Sequence, residues 1–154
     1  MGCGSGILSI ISMLLGAGYA AAMDIDPIAV GVTAENAEVN KLAATVCEKD
    51  EKGLPVFTGK NGLIEVSDGN AIGDAALRTA VGLHKFDIVV ANILADVIIP
   101  LSGVVREFMK PGALFISSGI INMKQDAVEE ALRENGFEIV EVVTQGDWVS
   151  IVAK

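Results

Sequence analysis

The sequence is poor in the residues from which metal sites and disulfide frameworks are built. Its 154 residues include one histidine and two cysteines, Cys3 and Cys47. Two cysteines are too few for a disulfide framework, and these two lack the spacing of metal ligands. Such cysteine usage is typical of a reducing compartment, so we expect a cytoplasmic protein that holds no metal.

Positive charge is also scarce. Lys and Arg number 11 against 20 Asp and Glu, which gives a formal net charge of −9, and the first basic residue is Lys41. A nucleic-acid-binding surface requires a basic patch, so direct binding of nucleic acid is disfavoured. An acidic surface suits a cationic ligand or a basic protein partner, although solubility alone also explains it.

No segment has the pattern of a membrane span. Residues 7–23 are almost uncharged, but Gly16 and Gly18 divide them into two short pieces that lack a basic flank. A buried helix followed by a buried strand fits them better. With 51% hydrophobic and 20% charged residues, residues 1–154 are expected to fold as one globular domain.

What the sequence does contain is a regular alternation of helical and strand patterns. Helices are predicted at residues 5–15, 28–42, 75–81, 95–109 and 125–135, and strands at residues 19–24, 63–67, 86–92, 113–118, 137–144 and 148–153. A short extended piece is possible at Val56 and Phe57, and "KPG" is expected to end a helix. Alternating units predict an α/β fold with a mostly parallel sheet. The "QGD" turn closes it with an antiparallel hairpin.

The chain begins on a glycine-rich loop, "MGCGSGILSI", that leads directly into a helix. Glycines at Gly2, Gly4 and Gly6 let a backbone turn sharply and approach a ligand closely. Asp24 ends the next predicted strand, 20 residues beyond Gly4, where a carboxylate can accept both hydroxyls of a ribose. The combination predicts nucleotide binding. A tight turn followed by an ordinary surface helix is the alternative.

Three other polar residues follow predicted strands. Asp68 could accept a hydrogen bond from an adenine amine, or bond its own backbone in a turn. Asn92 ends the most hydrophobic strand, where its amide oxygen could hold a neutral amine, or its side chain could cap the next helix. Asp26 could face the same pocket as Asp24, but its neighbour Pro27 indicates a helix start equally well. Trp148 and Met123 are expected to be packing residues.

Several segments together carry a resemblance to one known family: "GCGSGILSI", "DIDPIAV", "FDIVVANILADVII", "KPG", "SGI" and "GFEIVEVVTQGDWVSIVAK". They resemble the C-terminal catalytic domain of the PrmA-type methyltransferases, which modify a protein of the large ribosomal subunit. The resemblance runs almost from end to end and is weakest over residues 43–85. The resemblance implies a Rossmann-like class I methyltransferase sheet with the strand order three-two-one-four-five-seven-six and strand seven antiparallel. It also implies methylation of amino groups, on lysine side chains or the N-terminus of a basic ribosomal protein, with S-adenosylmethionine as cofactor.

The resemblance further implies a role for each matching residue. Asn92 would face the target amine and is also implied to contact the cofactor. The residues implied to hold the cofactor are Gly2, Cys3, Gly4 and Gly6 around its methionine part, Asp24 at the ribose, and Ser67 and Asp68 near the adenine.

Two features depart from the family pattern and leave alternatives open. The family's first strand, which precedes the glycine loop, is largely missing, and so is its N-terminal substrate-binding domain. The chain is therefore expected to be a fragment, either active or an inactive remnant. A nicotinamide-dependent oxidoreductase domain could use the same loop and Asp24, but it needs an all-parallel sheet and a catalytic Tyr, Lys or His. Tyr19 and His84 are badly placed for that role.

Overall fold

Helices and strands alternate along the chain, as the sequence predicts. The computed structural model describes residues 1–154 and divides them into two units, Met1–Gly82 and Leu83–Lys154. Each unit has its own sheet, and each is described by itself. That residues 1–154 form a single domain stays a prediction.

The first unit contains a three-stranded parallel sheet with strand order β1-β3-β2. Its elements are α1 (Ile7–Leu14), β1 (Tyr19–Asp24), α2 (Pro27–Val39), β2 (Ala43–Val46), β3 (Leu63–Asp68) and α3 (Ala75–Val81). Asp24 and Asp68 are register partners on β1 and β3. Because the two strands are parallel, both carboxylates lie at the same carboxyl edge of the sheet.

The two faces of this sheet are buried in different ways. Apolar residues of α1 and α2 pack against one face, and the cluster comprises Ile10, Ala22, Val30, Ala37, Ile64 and Val66. Glu65 lies between the two β3 members of that cluster, so its side chain points to the other face. It is only 1% exposed, and it accepts hydrogen bonds from Tyr19 Oη, Thr58 N, Thr58 Oγ1 and Gly59 N. These bonds fasten the segment before β3 to the sheet.

The second unit contains a mixed four-stranded sheet with strand order β4-β5-β7-β6. Strand β4 is parallel to β5, whereas β7 is antiparallel to both β5 and β6. Its elements are β4 (Phe86–Asn92), α4 (Ala95–Val105), a 3₁₀ turn (Arg106–Phe108), β5 (Met109–Ile121), a second 3₁₀ turn (Asn122–Lys124), α5 (Gln125–Glu134), β6 (Ile139–Gln145) and β7 (Trp148–Ala153). The fully buried residues of its helical layer include Ile98, Val105, Phe108, Val128 and Leu132.

The strand orders of the two sheets confirm the expected fold class. In the expected numbering, β3 and β1 are strands three and two, and β2 is an additional strand beside β3. In the other unit, β4, β5, β7 and β6 are strands four, five, seven and six. No strand corresponds to strand one, so β1 and β4 each lie at an edge of their own sheet. The predicted antiparallel hairpin is present as β6 and β7.

One strand was not predicted, and another is much longer than its predicted bounds. Strand β2 was not predicted, because its four residues are mostly exposed and show no alternating pattern. Strand β5 begins at Met109, so "KPG" lies inside a strand and does not end a helix. The pairing with β4 jumps from Phe86–Met109 to Ile88–Leu114. The irregularity places Pro111, which has no N–H to donate, where no ladder hydrogen bond is needed.

Smaller differences occur at helix ends and in one loop. Helix α2 ends at Val39, three residues before the predicted end. No strand forms at Val56 and Phe57, and an isolated bridge joins Lys49 to Pro55 instead. The apolar stretch after the glycine loop is a helix followed by a strand, as predicted, and no helix has both the length and the apolar character needed to cross a membrane.

Candidate functional sites

The glycine loop, residues 2–6, turns sharply between the start of the chain and α1. Gly4 and Gly6 have φ angles of +53° and +81°, in the left-handed region that glycine adopts without strain. A Cβ at Gly4 would meet nothing within 4 Å, whereas a Cβ at Gly6 would lie 2.8 Å from Thr33 Cγ2. The loop therefore leaves space open at Gly4 and lies tightly against α2 at Gly6.

Cys3 contributes its backbone to the loop, while its side chain belongs to the core. Cys3 N donates to Met23 O at 2.9 Å, which fixes the loop beside the end of β1. The side chain packs against the apolar cluster of the first unit, and burial raises the pKa of the Cys3 thiol. Cys3 remains partly exposed, and its place beside the cofactor stays a prediction.

Asp24 joins the glycine loop to the end of β1. Its Oδ2 accepts a hydrogen bond from Gly4 N at 2.8 Å, and its Oδ1 accepts one from Asp26 N at 3.1 Å. A carboxylate offers about four acceptor positions, so capacity remains for the hydroxyls of a ligand. The loop and the carboxylate that the sequence predicts to act together are in direct contact.

Asp26 has the helix-start role that the sequence left open. It is the N-cap of α2, and its Oδ1 accepts a hydrogen bond from Ile28 N at 2.9 Å. Pro27 follows as the first helical residue, a position where its missing N–H is no loss. Between the two aspartates, Ile25 is 76% exposed, an apolar surface residue that the sequence analysis missed.

Asp68 is paired with a lysine at the carboxyl end of β3. Its Oδ2 lies 2.8 Å from Lys49 Nζ, and the hydrogen bond from Lys49 holds the pKa of Asp68 below its usual value. Its carboxyl group also forms a hydrogen bond with its own backbone, as the turn alternative expected, and its role beside an adenine stays a prediction. Ser67 is buried, and its Oγ donates to Asp68 O at 3.0 Å. This hydroxyl therefore holds the backbone at the end of β3.

Asn92 is exposed at the carboxyl end of β4. Leu94 is the N-cap of α4 and no side chain caps that helix, so the helix-cap alternative for Asn92 is wrong. Gly119 on β5 approaches closely, because a Cβ there would lie 2.9 Å from Ile93 O and 3.2 Å from Asn92 Oδ1. Asn92 and Gly119 both line the wall of a cavity.

This cavity lies entirely within the second unit and has a volume of about 410 Å³. It is lined by Asn92, Ser118, Gln145 and Trp148, among others. Trp148 is 56% exposed and Met123 is 85% exposed, so the expectation that both are packing residues is wrong. An amide beside an exposed aromatic ring suits a long aliphatic side chain with a polar end.

The residues that an oxidoreductase would need are engaged elsewhere. Tyr19 Oη donates to the buried Glu65, and burial followed by that hydrogen bond raises the pKa of Tyr19 far above its usual value. His84 lies on the surface, with Nδ1 3.1 Å from Met109 O. No group of three or more His, Cys, Asp or Glu residues is arranged to hold a metal ion.

The strand orders, together with a glycine loop bonded to a strand-end carboxylate, define a class I methyltransferase fold. A SAM-dependent methyltransferase from Aquifex aeolicus has a similar structure, with a TM-score of 0.68 over 99% of this chain and 78% of that chain. The two sequences are 15% identical, so this similarity concerns the fold alone.

The family follows from closer matches. The chain belongs to the family described as "Ribosomal protein L11 methyltransferase (PrmA)", which matches residues 1–154. The ribosomal protein L11 methyltransferase of Lachnoclostridium phytofermentans is 57% identical over the whole chain, which spans 45% of that relative's length. A crystal structure of ribosomal protein L11 methylase from Lactobacillus delbrueckii subsp. bulgaricus is 28% identical, with a TM-score of 0.76 over 99% of this chain and 66% of that one.

Proposed function

We propose that the chain is the catalytic part of an S-adenosylmethionine-dependent methyltransferase that modifies amino groups of ribosomal protein L11. The observation that carries the proposal is the hydrogen bond from Gly4 N to Asp24 Oδ2. It brings a glycine-rich loop and a strand-end carboxylate together, the arrangement with which α/β folds bind a nucleoside.

The residues of the first unit fit the parts of this cofactor. Gly2, Gly4 and Gly6 would leave the methionine part room against the loop, and the remaining acceptor positions of Asp24 would take the ribose hydroxyls. Asp68 would accept from the adenine amine, and the exposed Ile25 would cover the base. Ser67 would act only through the backbone of Asp68, because its hydroxyl is already bonded there.

The residues of the second unit fit an amine acceptor. Asn92 would accept hydrogen bonds from the N–H groups of the target nitrogen, and the cavity beside it is large enough for a lysine side chain. Bound cofactor supplies a methyl group that is already activated by the sulfonium. The task of these residues is therefore to orient a neutral nitrogen and exclude water from it.

The acidic surface suits a basic substrate protein in the cytoplasm. A net charge of −9 favours encounter with a cationic partner through long-range attraction. Recruitment would depend on parts of the relatives that this chain does not match, since it spans under half of their length. We propose that these unmatched parts include the substrate-binding domain.

Calorimetry with two ligands tests the cofactor assignment. S-adenosylhomocysteine should bind and NAD should not, because the oxidoreductase alternative needs an all-parallel sheet and the sheet of the second unit ends in an antiparallel hairpin. Tighter binding of NAD would contradict the proposal. A methylation assay on ribosomal protein L11, with the chain alone and within a longer polypeptide, then distinguishes an active domain from an inactive remnant.

A further inference from the structure

The glycine loop is supported from the side by two polar residues of α2. Thr33 is 0% exposed, and its Oγ1 donates to Gly4 O at 3.1 Å, with Cys3 Sγ at 3.3 Å. Asn36 Nδ2 donates to Ser5 O at 2.8 Å. Residues three apart lie on the same face of a helix, so α2 presents both donors to the loop together.

These two bonds complete a set of four. Cys3 O accepts from Gly6 N at 2.7 Å, and Gly6 O accepts from Ile10 N at 2.9 Å. The carbonyl oxygens of residues 3–6 are thus all bonded to donors of this chain. Since each peptide unit is planar, fixing its carbonyl also fixes the direction of the N–H on its other side.

Support of this kind matters most in a glycine-rich segment. Glycine has more conformational freedom than any other residue, and ordering it costs correspondingly more entropy. The sequence of the loop therefore does not select one conformation by itself. Contacts from outside the loop have to select it, and the donors that reach it from α2 are Thr33 and Asn36.

We propose that Thr33 and Asn36 are positioning residues that preset the glycine loop for the cofactor. Both act through the carbonyls of the loop and neither is assigned a contact with the ligand. The inference rests on the proposed function for the identity of that ligand. Thr33 also restricts the loop sterically, because a Cβ at position 6 would lie 2.8 Å from Thr33 Cγ2.

Four variants of the full chain test the proposal. Thr33→Val removes the hydroxyl and keeps the shape of the side chain, whereas Thr33→Ser keeps the hydroxyl. Asn36→Ala removes the second donor. Asn40→Ala is the matched control, because Asn40 Nδ2 donates to Asn36 O at 2.8 Å on the same helix and does not reach the loop.

Two measurements are compared across these variants. Amide hydrogen exchange of residues 2–6 is followed without ligand, and S-adenosylhomocysteine affinity is measured by calorimetry. Thr33→Val and Asn36→Ala should speed the exchange and weaken the affinity about tenfold, the value of one lost hydrogen bond. Thr33→Ser and Asn40→Ala should stay within about threefold of the parent chain.

The outcomes separate this inference from the proposed function. Unchanged loop exchange in Thr33→Val and Asn36→Ala overturns the positioning role, and so does faster exchange with unchanged affinity. A lower melting temperature alone indicates a merely structural role and also overturns it. If the parent chain binds no S-adenosylhomocysteine, the proposed function fails, and the exchange comparison still decides whether the two residues hold the loop.

Discussion

Replacing Asp24 by asparagine is the sharpest test of the cofactor site. Asp24 uses both oxygens at once, for Gly4 N at 2.8 Å and for Asp26 N at 3.1 Å. An asparagine keeps one oxygen and turns an NH₂ group toward the other donor. Whichever way the amide is oriented, one backbone N–H loses its acceptor and faces a second donor.

The expected loss of affinity follows from the change in charge. A hydrogen bond to a charged group contributes about 1.5–3 kcal/mol, so losing the one to the ribose corresponds to binding that is roughly 10- to 150-fold weaker. Displacement of Gly4 adds to this loss. Asp24→Asn is therefore expected to weaken S-adenosylhomocysteine binding by at least about tenfold.

The neighbouring aspartate provides a matched control. Asp26→Asn changes the net charge equally, but asparagine is as good an N-cap as aspartate, so the cap of α2 is preserved. Calorimetry should show little change for Asp26→Asn and a large loss for Asp24→Asn. Equal effects in the two variants, or unchanged affinity in a folded Asp24→Asn, would refute the assignment of the ribose to Asp24.

Three further variants test the acceptor site, the buried carboxylate and the loop geometry. Asn92→Asp, in the longer polypeptide, should lower turnover on ribosomal protein L11, because a carboxylate stabilises the ammonium form of the amine. The S-adenosylhomocysteine affinity of this variant should stay within about threefold of the parent. Unchanged turnover would contradict the role of Asn92. Glu65→Gln should lower the free energy of unfolding in urea by about 1–3 kcal/mol at neutral pH. Burial alone would raise the pKa of Glu65, but its hydrogen bonds outweigh burial and hold the pKa below the usual value. The stability that these hydrogen bonds contribute is therefore present above the pKa of Glu65 in the unfolded chain, about 4.3. It is lost as the pH falls through the lower pKa of the folded chain, and there the parent and Glu65→Gln should become equally stable. Gly6→Ala should weaken S-adenosylhomocysteine binding more than Gly16→Ala, because both positions have positive φ but only Gly6 would bring a Cβ within 2.8 Å of Thr33.

The elements that the sequence predicted well are those whose own residues determine them. Strand β4 has the predicted bounds because its apolar residues form a continuous run, the pattern of a parallel strand, although only Val89 and Ala91 of the strand are buried. Strand β2 was missed because it is held by backbone pairing with β3, which its exposed side chains do not encode. The bounds of β5 were wrong because tertiary pairing around the irregularity at Phe86 overrides the helix-ending signal of "KPG".

The same distinction applies to the site. The glycine loop and Asp24 were predicted because their residue types and spacing are sufficient to indicate nucleotide binding. Lys49 was not predicted as a partner of Asp68, because it lies in a polar loop 19 residues away. Thr33 was not singled out in the sequence, because only the fold brings it to Gly4. Trp148 was misread because a single tryptophan gives no sign of which side of a sheet it faces.

The charges at the strand ends match the chemistry of the proposed reaction. Asp24 and Asp68 are carboxylates, and the hydroxyls and amine they would meet on a nucleoside do not change protonation near neutral pH. Asn92 is neutral, and the lysine amine it would meet has to lose a proton before it can attack. With a reference pKa of about 10.4, less than about 0.1% of a lysine is neutral at pH 7. An amide oxygen accepts from that minor form without the negative charge that would favour the ammonium. We therefore expect kcat/KM on ribosomal protein L11 to rise nearly tenfold per pH unit between pH 7 and 9 in the longer polypeptide. A flat profile at rate-limiting chemistry would mean that the amine loses its proton to a base of the protein, and that the neutral Asn92 is not what selects the reactive form.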